Sequence, residues 1–328
     1  MSASPITPTI DLDASGAHHG ALRLPWSRDD SAWGSVMIPI TVVNGAPGPT
    51  ALLVGGNHGD EYEGPLALQE LAYTLEANTV SGRVIILPAL NTPAVRAATR
   101  TSPIDRGNLN RSFPGRPDGT VTQKIAHYVA TELVPRADIV LDYHSGGKTL
   151  DFLPFAAAHV LDDTDQQARC VAAMEAFNAP FSMIMREIDA AGMLDTEVEG
   201  QGKTFVTTEL GGGGTATAAS VAIARKGARN LLRHAGILDG APEIAPSTRL
   251  EMPDDGFVFA MDGGLIEPMV DLGQGVAAGA TLARIWPPDR SGAAPITLAA
   301  PRDGVLAARH FPGLVQRGDC LAVIAVTR

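Results

Sequence analysis

A glycine-rich loop early in the chain carries a histidine and a glutamate three positions apart. The segment reads GGNHGDEYEG over Gly55–Gly64 and contains His58 and Glu61. An imidazole nitrogen and a carboxylate oxygen so close in a compact turn can bind one metal cation. The same spacing also fits a surface histidine beside a glutamate that favours the positive N-terminal end of a helix. Alone, the loop leaves both interpretations open.

A second histidine follows a strongly apolar run. In DIVLDYHSGG, His144 comes directly after Asp138–Tyr143, and Asp142 lies two residues before it on the same face. Open α/β sheets place their ligands at the carboxyl ends of strands, and a carboxylate can orient a metal-bound imidazole through its other nitrogen. The alternative is a histidine whose hydrogen bonds are satisfied within a turn.

A glutamate closes another apolar segment, immediately before four consecutive glycines. In TTELGGGG, Glu209 stands at the rim of the predicted core, where partial burial raises the pKa of a carboxyl group. A raised pKa suits a general base that later acts as an acid, and glycines let the backbone approach a ligand closely. The alternative is a strand-end glutamate followed by a flexible loop.

The segment GNLNRSFPG, residues 107–115, combines asparagines and an arginine in a loop rich in turn residues. Arg111, with Asn110 beside it, could bind a carboxylate through two parallel hydrogen bonds. The alternative for Arg111 is a structural role in bracing the loop. Arg100 and Arg106 lie shortly upstream of this segment and provide two further cations.

These four segments need a scaffold that brings strand ends together, and residues 1–240 predict one. Short apolar runs, several without polar alternation, are typical of strands buried on both faces. We predict strands over Ser35–Val43, Thr50–Gly55, Arg83–Pro88, Asp138–Tyr143 and Phe205–Leu210. We predict helices over Pro65–Ala77, Thr122–Val134, Thr164–Phe177 and Thr217–His234. The alternation predicts an α/β sandwich with a largely parallel or mixed sheet.

The pattern changes near residue 240. Residues 241–253 are typical of a linker, and short β-type runs separated by Gly, Asp and Pro turns follow to the end. Residues 270–285 and 311–325 resemble each other, which predicts a small pseudo-symmetric β-barrel or sandwich. We therefore predict a catalytic domain over residues 1–240 and a β domain over residues 241–328. The repeat resembles the barrel-sandwich domain of lipoyl and biotinyl carriers, which attach their cofactor to a lysine on a hairpin tip. The last lysine of the chain is Lys226, so the β domain cannot be such a carrier. A structural, oligomer-forming or lid role remains.

Composition limits the classes of function. The 328 residues are 45% hydrophobic, enough for a packed core, and the net charge is −11. An acidic chain argues against nucleic acid or an anionic membrane as a partner. Cys170 and Cys320 are isolated, and the N-terminal segment lacks the pattern of a signal peptide, so we expect free thiols and a cytoplasmic location.

Together and in this order, the four segments resemble the zinc carboxypeptidase superfamily and, more closely, the succinylglutamate desuccinylase/aspartoacylase family. The resemblance covers nearly the whole chain. It implies a zinc-carboxypeptidase-like mixed-sheet sandwich with helices on both faces, followed by a small all-β domain of barrel-sandwich type. It also implies one Zn²⁺ per chain, with His58, Glu61 and His144 as its ligands and Glu209 as general base and acid.

The same resemblance implies a small N-acyl amino acid as substrate. Separately from the resemblance, we expect a homo-oligomer. Asn110 and Arg111 match the pair that holds the substrate carboxylate. An upstream arginine polarises the scissile carbonyl in this family. Arg100 is the preferred match for that arginine, and Arg106 is the alternative.

A narrower resemblance, to family members that deacetylate an acetylated diamino acid, is carried by residues 27–40, 55–65, 100–115 and 207–215. The side-chain ammonium of such a substrate needs an acidic partner, for which a predicted loop offers Asp189, Asp195 and Glu197. Other readings stay open: a deacylase for acetyl-aspartate or succinyl-glutamate, a zinc carboxypeptidase for small substrates, or a metal-dependent binding protein.

Overall fold

The computed structural model describes residues 4–186 and 190–328. In these ranges the α-helices are α1 (Glu63–Thr74), α2 (Thr92–Ala97), α3 (Val121–Tyr128), α4 (Thr164–Phe177), α5 (Leu194–Gly200) and α6 (Ala218–His234). The strands before α6 are β1 (Thr7–Pro8), β2 (Gly16–Pro25), β3 (Ser35–Asn44), β4 (Ala46–Val54), β5 (Ser81–Leu87), β6 (Ile139–Asp142), β7 (Leu150–Phe152), β8 (Phe155–His159), β9 (Phe181–Met185) and β10 (Thr204–Glu209). The strands after α6 are β11 (Thr248–Glu251), β12 (Phe257–Phe259), β13 (Gly264–Pro268), β14 (Gly275–Val276), β15 (Thr281–Trp286), β16 (Ile296–Ala299), β17 (Gly304–His310), β18 (Leu314–Val315) and β19 (Cys320–Thr327).

A large mixed sheet forms the centre, in the order β1-β2-β3-β5-β4-β6-β10-β8-β9-β11-β19-β17-β14. Strands β5, β4, β6 and β10 are parallel neighbours, whereas β8 lies antiparallel to β10. Every residue of Ala51–Val54, Val84–Leu87 and Ile139–Asp142 is buried. Such strands are covered on both faces of the sheet. The predicted α/β class with a mixed sheet is therefore confirmed.

The helices pack against these strands in two groups. Helix α6 contacts α1 and α4, while α5 contacts β6 and the π-helical turn Val129–Leu133 that follows α3. Where α6 meets α4, the backbone of Gly227 lies against the ring of Phe177. A Cβ atom at Gly227 would lie 2.2 Å from Phe177 Cζ, and Phe177 is fully buried.

This close contact predicts the sign of a stability change. We expect Gly227→Ala to lower the free energy of unfolding by roughly 1–3 kcal/mol, because the added methyl group overpacks the helix contact. In an open helix the same substitution would stabilise the protein by up to about 1 kcal/mol. Urea unfolding checks the prediction, with Gly200→Ala as the control, since nothing lies within 4 Å of a Cβ at Gly200. A Gly227→Ala protein more stable than the wild type would contradict the packing described.

All the strands and helices predicted before residue 240 have counterparts, with end differences of a few residues. Helix α4 has the predicted limits, whereas the predicted helix Thr122–Val134 changes to π-helical geometry at Val129. Two predictions are wrong. The segment predicted as a loop before β10 contains α5, and the predicted linker over residues 241–253 contains β11, which pairs with both β9 and β19.

The strands after α6 extend the large sheet and form a second one. Strands β16-β15-β13-β18 form a four-stranded sheet, while β17 pairs with β7 and β19. The two similar segments repeat one pattern: β14 and β18 are two-residue strands, each followed after a four-residue turn by a long strand. A domain boundary near residue 240 stays a prediction. In the described ranges, no helix has the length and apolar character needed to cross a membrane.

Candidate active site

The loop after β4 and the end of β6 bring His58, Glu61 and His144 together. His58 Nδ1 lies 2.8 Å from Glu61 Oε1, and His144 Nδ1 lies 3.0 Å from Glu61 Oε2. One potential ligand atom from each residue lies within 4.8 Å of the other two. Because β4 and β6 are parallel neighbours, both segments leave the same edge of the sheet.

The outer nitrogens of both imidazoles have partners of their own. His144 Nε2 lies 2.9 Å from Asp142 Oδ2, and His58 Nε2 lies 3.2 Å from Asn108 Oδ1. Such contacts fix the ring orientation of metal-binding histidines, and here they leave each Nδ1 directed at Glu61. Two imidazole nitrogens and a carboxylate are a donor set of catalytic zinc sites, which keep a further position open. The buried cluster therefore fits one divalent cation.

Two polar side chains that sequence reasoning did not single out connect the loops. Asn57 Nδ2 donates to Asp142 Oδ2 (2.9 Å) and to Asn110 Oδ1 (3.2 Å). Asp60 Oδ2 accepts from the backbone N–H of Lys148 (2.9 Å), which ties the His58 loop to the segment after His144. In the sequence, Asn57 and Asp60 could have been found as candidates because they lie within two residues of His58.

Glu209 ends β10, the strand beside β6. Its Oε2 atom is buried and has no hydrogen-bond partner among the residues that the structure describes. Burial, reinforced by the negative charge of Glu61, raises the pKa of Glu209 to about 8. A carboxyl group with a free oxygen and a raised pKa can accept a proton and return it.

The structure separates the two upstream arginines. Arg100 Nη1 lies 3.5 Å from Glu61 Oε1, and the Arg100 side chain is half exposed. Arg106 is exposed with φ of +56°. Across residues 4–186 and 190–328, no hydrogen bond or ion pair joins Arg106 to the residues of this site. The chain thus places Arg100, and not Arg106, beside the cluster.

Arg111 and Glu209 line the same cavity, which has a volume of about 860 Å³. Its walls also include apolar side chains from both parts of the chain, such as Phe155, Met183 and Val323. Asn110 is buried, and its Oδ1 accepts from Asn57 Nδ2 and from the backbone N–H of Leu194 (2.9 Å). Arg111 is therefore placed where it can meet a ligand, whereas Asn110 braces the loop against the start of α5.

The structure describes two of the three acidic candidates for an ammonium partner. Asp189 lies outside the described residues. Asp195 is buried and accepts hydrogen bonds from Thr196, and Glu197 Oε1 accepts from Gln201 Nε2 (2.8 Å). Neither Asp195 nor Glu197 is among the described residues that line the cavity.

Comparison with known proteins defines the class. Residues 47–235 match the family model of the succinylglutamate desuccinylase/aspartoacylase catalytic domain, a span that contains every predicted site residue, and the chain belongs to this family. Over 98% of its length it is 56% identical to the N-alpha-acetyl-L-2,4-diaminobutyric acid deacetylase of Halomonas elongata, of which it covers 95%. The resemblance to this family and the expectation of an enzyme are confirmed.

Solved structures agree along the whole chain. The crystal structure of a succinylglutamate desuccinylase from Silicibacter sp. TM1040 is 62% identical, with a TM-score of 0.98 and complete coverage of both chains. The product-bound structure of the ectoine utilization protein EutE from Ruegeria pomeroyi is also 62% identical. Its TM-score is 0.98, with 99% of this chain and 100% of that chain covered.

Proposed function

We propose that this enzyme hydrolyses N-alpha-acetyl-L-2,4-diaminobutyrate to acetate and L-2,4-diaminobutyrate, in the degradation of ectoine. One observation carries the chemistry: three convergent donors, His58, Glu61 and His144, lie near the half-buried Glu209. The Oε2 atom of Glu209 is buried and has no hydrogen-bond partner among the described residues. The similarity to the Halomonas elongata deacetylase and to EutE supports the substrate and the pathway.

We propose Zn²⁺ as the metal, one ion per chain, with His58, Glu61 and His144 as ligands. The mixed nitrogen and oxygen donor set and its burial support this assignment. When bound, zinc lowers the pKa of a coordinated water molecule and polarises a carbonyl group.

The remaining chemistry belongs to side chains of the enzyme. Glu209 accepts a proton from the water molecule that attacks the acetyl carbonyl carbon, and a carbon–oxygen bond forms. Glu209 then gives that proton to the α-nitrogen, so that the carbon–nitrogen bond breaks and a neutral amine leaves. The raised pKa of Glu209 supports both transfers.

Two arginines orient the substrate in this proposal. Arg111 binds the substrate carboxylate from the cavity wall, with Asn110 bracing the loop that carries it. Arg100 donates to the carbonyl oxygen as negative charge develops there. Its position beside Glu61 supports that role, and one such donor can contribute about 3 kcal/mol to the transition state.

An activity panel tests the substrate assignment. The purified enzyme is assayed for release of the free amino group from N-alpha-acetyl-diaminobutyrate, acetyl-aspartate, succinyl-glutamate, acetyl-ornithine and a dipeptide. We expect the highest kcat/KM for N-alpha-acetyl-diaminobutyrate. A preference for acetyl-aspartate or succinyl-glutamate would overturn the substrate assignment but leave the assignment of the site residues unchanged. A preference for the dipeptide would indicate a carboxypeptidase.

The pKa of Glu209 predicts the pH dependence. The base must be ionised, so kcat/KM falls by about tenfold per pH unit below that pKa. Burial raises the pKa to about 8, and the positive charge of a bound cation lowers it again. We expect a single acid limb with a midpoint between the ordinary value of 4.5 and about 8, measured as kcat/KM against pH. The residual activity of Glu209→Gln should not show this fall in kcat/KM at acid pH. If the fall persisted in that variant, another group would be responsible for it.

We further propose that residues 1–240 form the catalytic domain and residues 241–328 a β domain in a cytoplasmic homo-oligomer. The change from mixed elements to strands after α6 supports the division. Cys170 and Cys320, both free thiols, are consistent with a reducing compartment.

A further inference from the structure

The loop that follows Glu209 has no conformational preference of its own. The glycines at positions 211, 212, 213 and 214 have φ values of +110°, +158°, +73° and +62°. Glycine adopts such values readily, so contacts with neighbouring segments must select one conformation. The position of the Glu209 end of β10 therefore depends on what holds these glycines.

One set of contacts comes from the segment after His144. The carbonyl oxygen of Gly211 accepts from the N–H groups of Gly146 (2.9 Å) and Phe152 (3.2 Å). The N–H of Gly213 donates to the carbonyl oxygen of Leu150 (3.0 Å). Because Leu150–Phe152 is β7, which pairs with β17, the loop is joined through β7 to the C-terminal strands.

A second contact comes from the C-terminal part itself. Phe311 directly follows β17, and its N–H donates to the carbonyl oxygen of Thr149 (3.0 Å). The ring of Phe311 lies on Gly213: a Cβ at Gly213 would lie 2.6 Å from the Cε2 and Cζ atoms of the ring. The Phe311 side chain is 45% exposed, so it is not simply a member of a hydrophobic core.

We propose that Phe311 is a positioning residue for Glu209. Its ring, together with the β7–β17 pairing, fixes the loop at residues 211–214 and thereby the carboxylate at the end of β10. The inference rests on the proposed role of Glu209 as the base. It gives residues 241–328 an indirect part in catalysis, through the loop and without any contact between Phe311 and the substrate.

Replacement of Phe311 in the full-length enzyme tests this role. We expect Phe311→Ala to lower kcat by roughly 10–100-fold, because a small displacement of a catalytic group is costly. KM and metal content should stay near the wild-type values, and Phe311→Tyr, which keeps the ring, should restore most of kcat. The control is Leu314→Ala, a nearby side chain that is 57% exposed and pairs with Leu265 in the four-stranded sheet. It should have wild-type kcat.

A double-mutant cycle tests the contact with Gly213. We expect Gly213→Ala to cost less in a Phe311→Ala background than in the wild type, because the clash with the ring is then absent. The backbone strain of alanine at φ of +73° is common to both backgrounds, so the difference between them reports the contact with Phe311. Wild-type kcat in Phe311→Ala, strict additivity, or loss of bound metal with activity would overturn the proposal. If Phe311→Ala does not fold, Phe311→Leu is measured against the same criteria.

The same experiments separate this inference from the proposed function. All variants are compared on whichever substrate the wild type hydrolyses fastest, so a wrong substrate leaves the comparison valid. Full kcat in Glu209→Gln would overturn the role of Glu209 itself. Loss of kcat in Glu209→Gln with wild-type kcat in Phe311→Ala would overturn only the role of Phe311.

Discussion

Glu209→Gln should lower kcat by roughly 10²–10⁴-fold, the usual contribution of a positioned general base and acid. Glutamine has nearly the same shape but cannot accept the proton from water or return it to the leaving amine. Both transfers are assigned to this group because its pKa is raised and because its Oε2 atom has no hydrogen-bond partner within residues 4–186 and 190–328. The measurement is steady-state kcat together with metal content. The metal content should equal that of the wild type.

Glu63→Gln is a matched control for that substitution. Glu63 is also buried, its pKa is also raised by burial, and its Oε1 accepts a hydrogen bond from Ser220 Oγ (3.0 Å). The proposed reaction assigns no proton transfer to Glu63, so its amide variant should retain most of kcat. If Glu209→Gln kept bound metal and wild-type kcat, Glu209 would not be the base.

Glu61→Gln should abolish stoichiometric metal binding and, with it, activity. The Glu61 carboxylate contacts both imidazoles and accepts from the backbone N–H of Ser145 (3.1 Å). An amide removes the negative charge and presents an N–H₂ group to one of these partners. Loss of a residue that only hydrogen-bonds to a metal ligand already lowers metal affinity by about 10–100-fold, so a larger loss is expected for a direct ligand.

Metal content by mass spectrometry and zinc titration of the stripped protein measure this effect. Glu63→Gln again serves as the control, because Glu63 lies two residues further along the same segment but points to Ser220. Normal zinc affinity in Glu61→Gln would contradict the ligand assignment.

The strands and helices of the scaffold, and the position of the motifs at strand ends, could be predicted because their sequence signals are local. The apolar run before His144 identified β6, and the strand end placed the histidine at the edge where ligands bind. His58 and Glu61 were ambiguous in isolation, because three-residue spacing does not show what else faces the loop. The structure supplies that information by placing His144 Nδ1 3.0 Å from Glu61.

Features that depend on long-range contacts were beyond prediction. Residue types and spacing do not reveal the path of the loop between residues 100 and 111, so the preference for Arg100 over Arg106 came from the family resemblance alone. Helix α5 is short and its start is fixed by Asn110, 84 residues earlier in the chain. Strand β7 has three residues, too few for a pattern, yet it connects the Glu209 loop to β17.

Zinc reconstitution tests whether hydrolysis depends on a metal ion held by His58, Glu61 and His144. The enzyme is stripped of metal with a chelator, dialysed and titrated with Zn²⁺ while acetate release from N-alpha-acetyl-L-2,4-diaminobutyrate is measured. We predict that the stripped enzyme is inactive and that activity returns and saturates at one zinc ion per chain. Undiminished acetate release from the metal-free enzyme would show that the reaction does not need the metal.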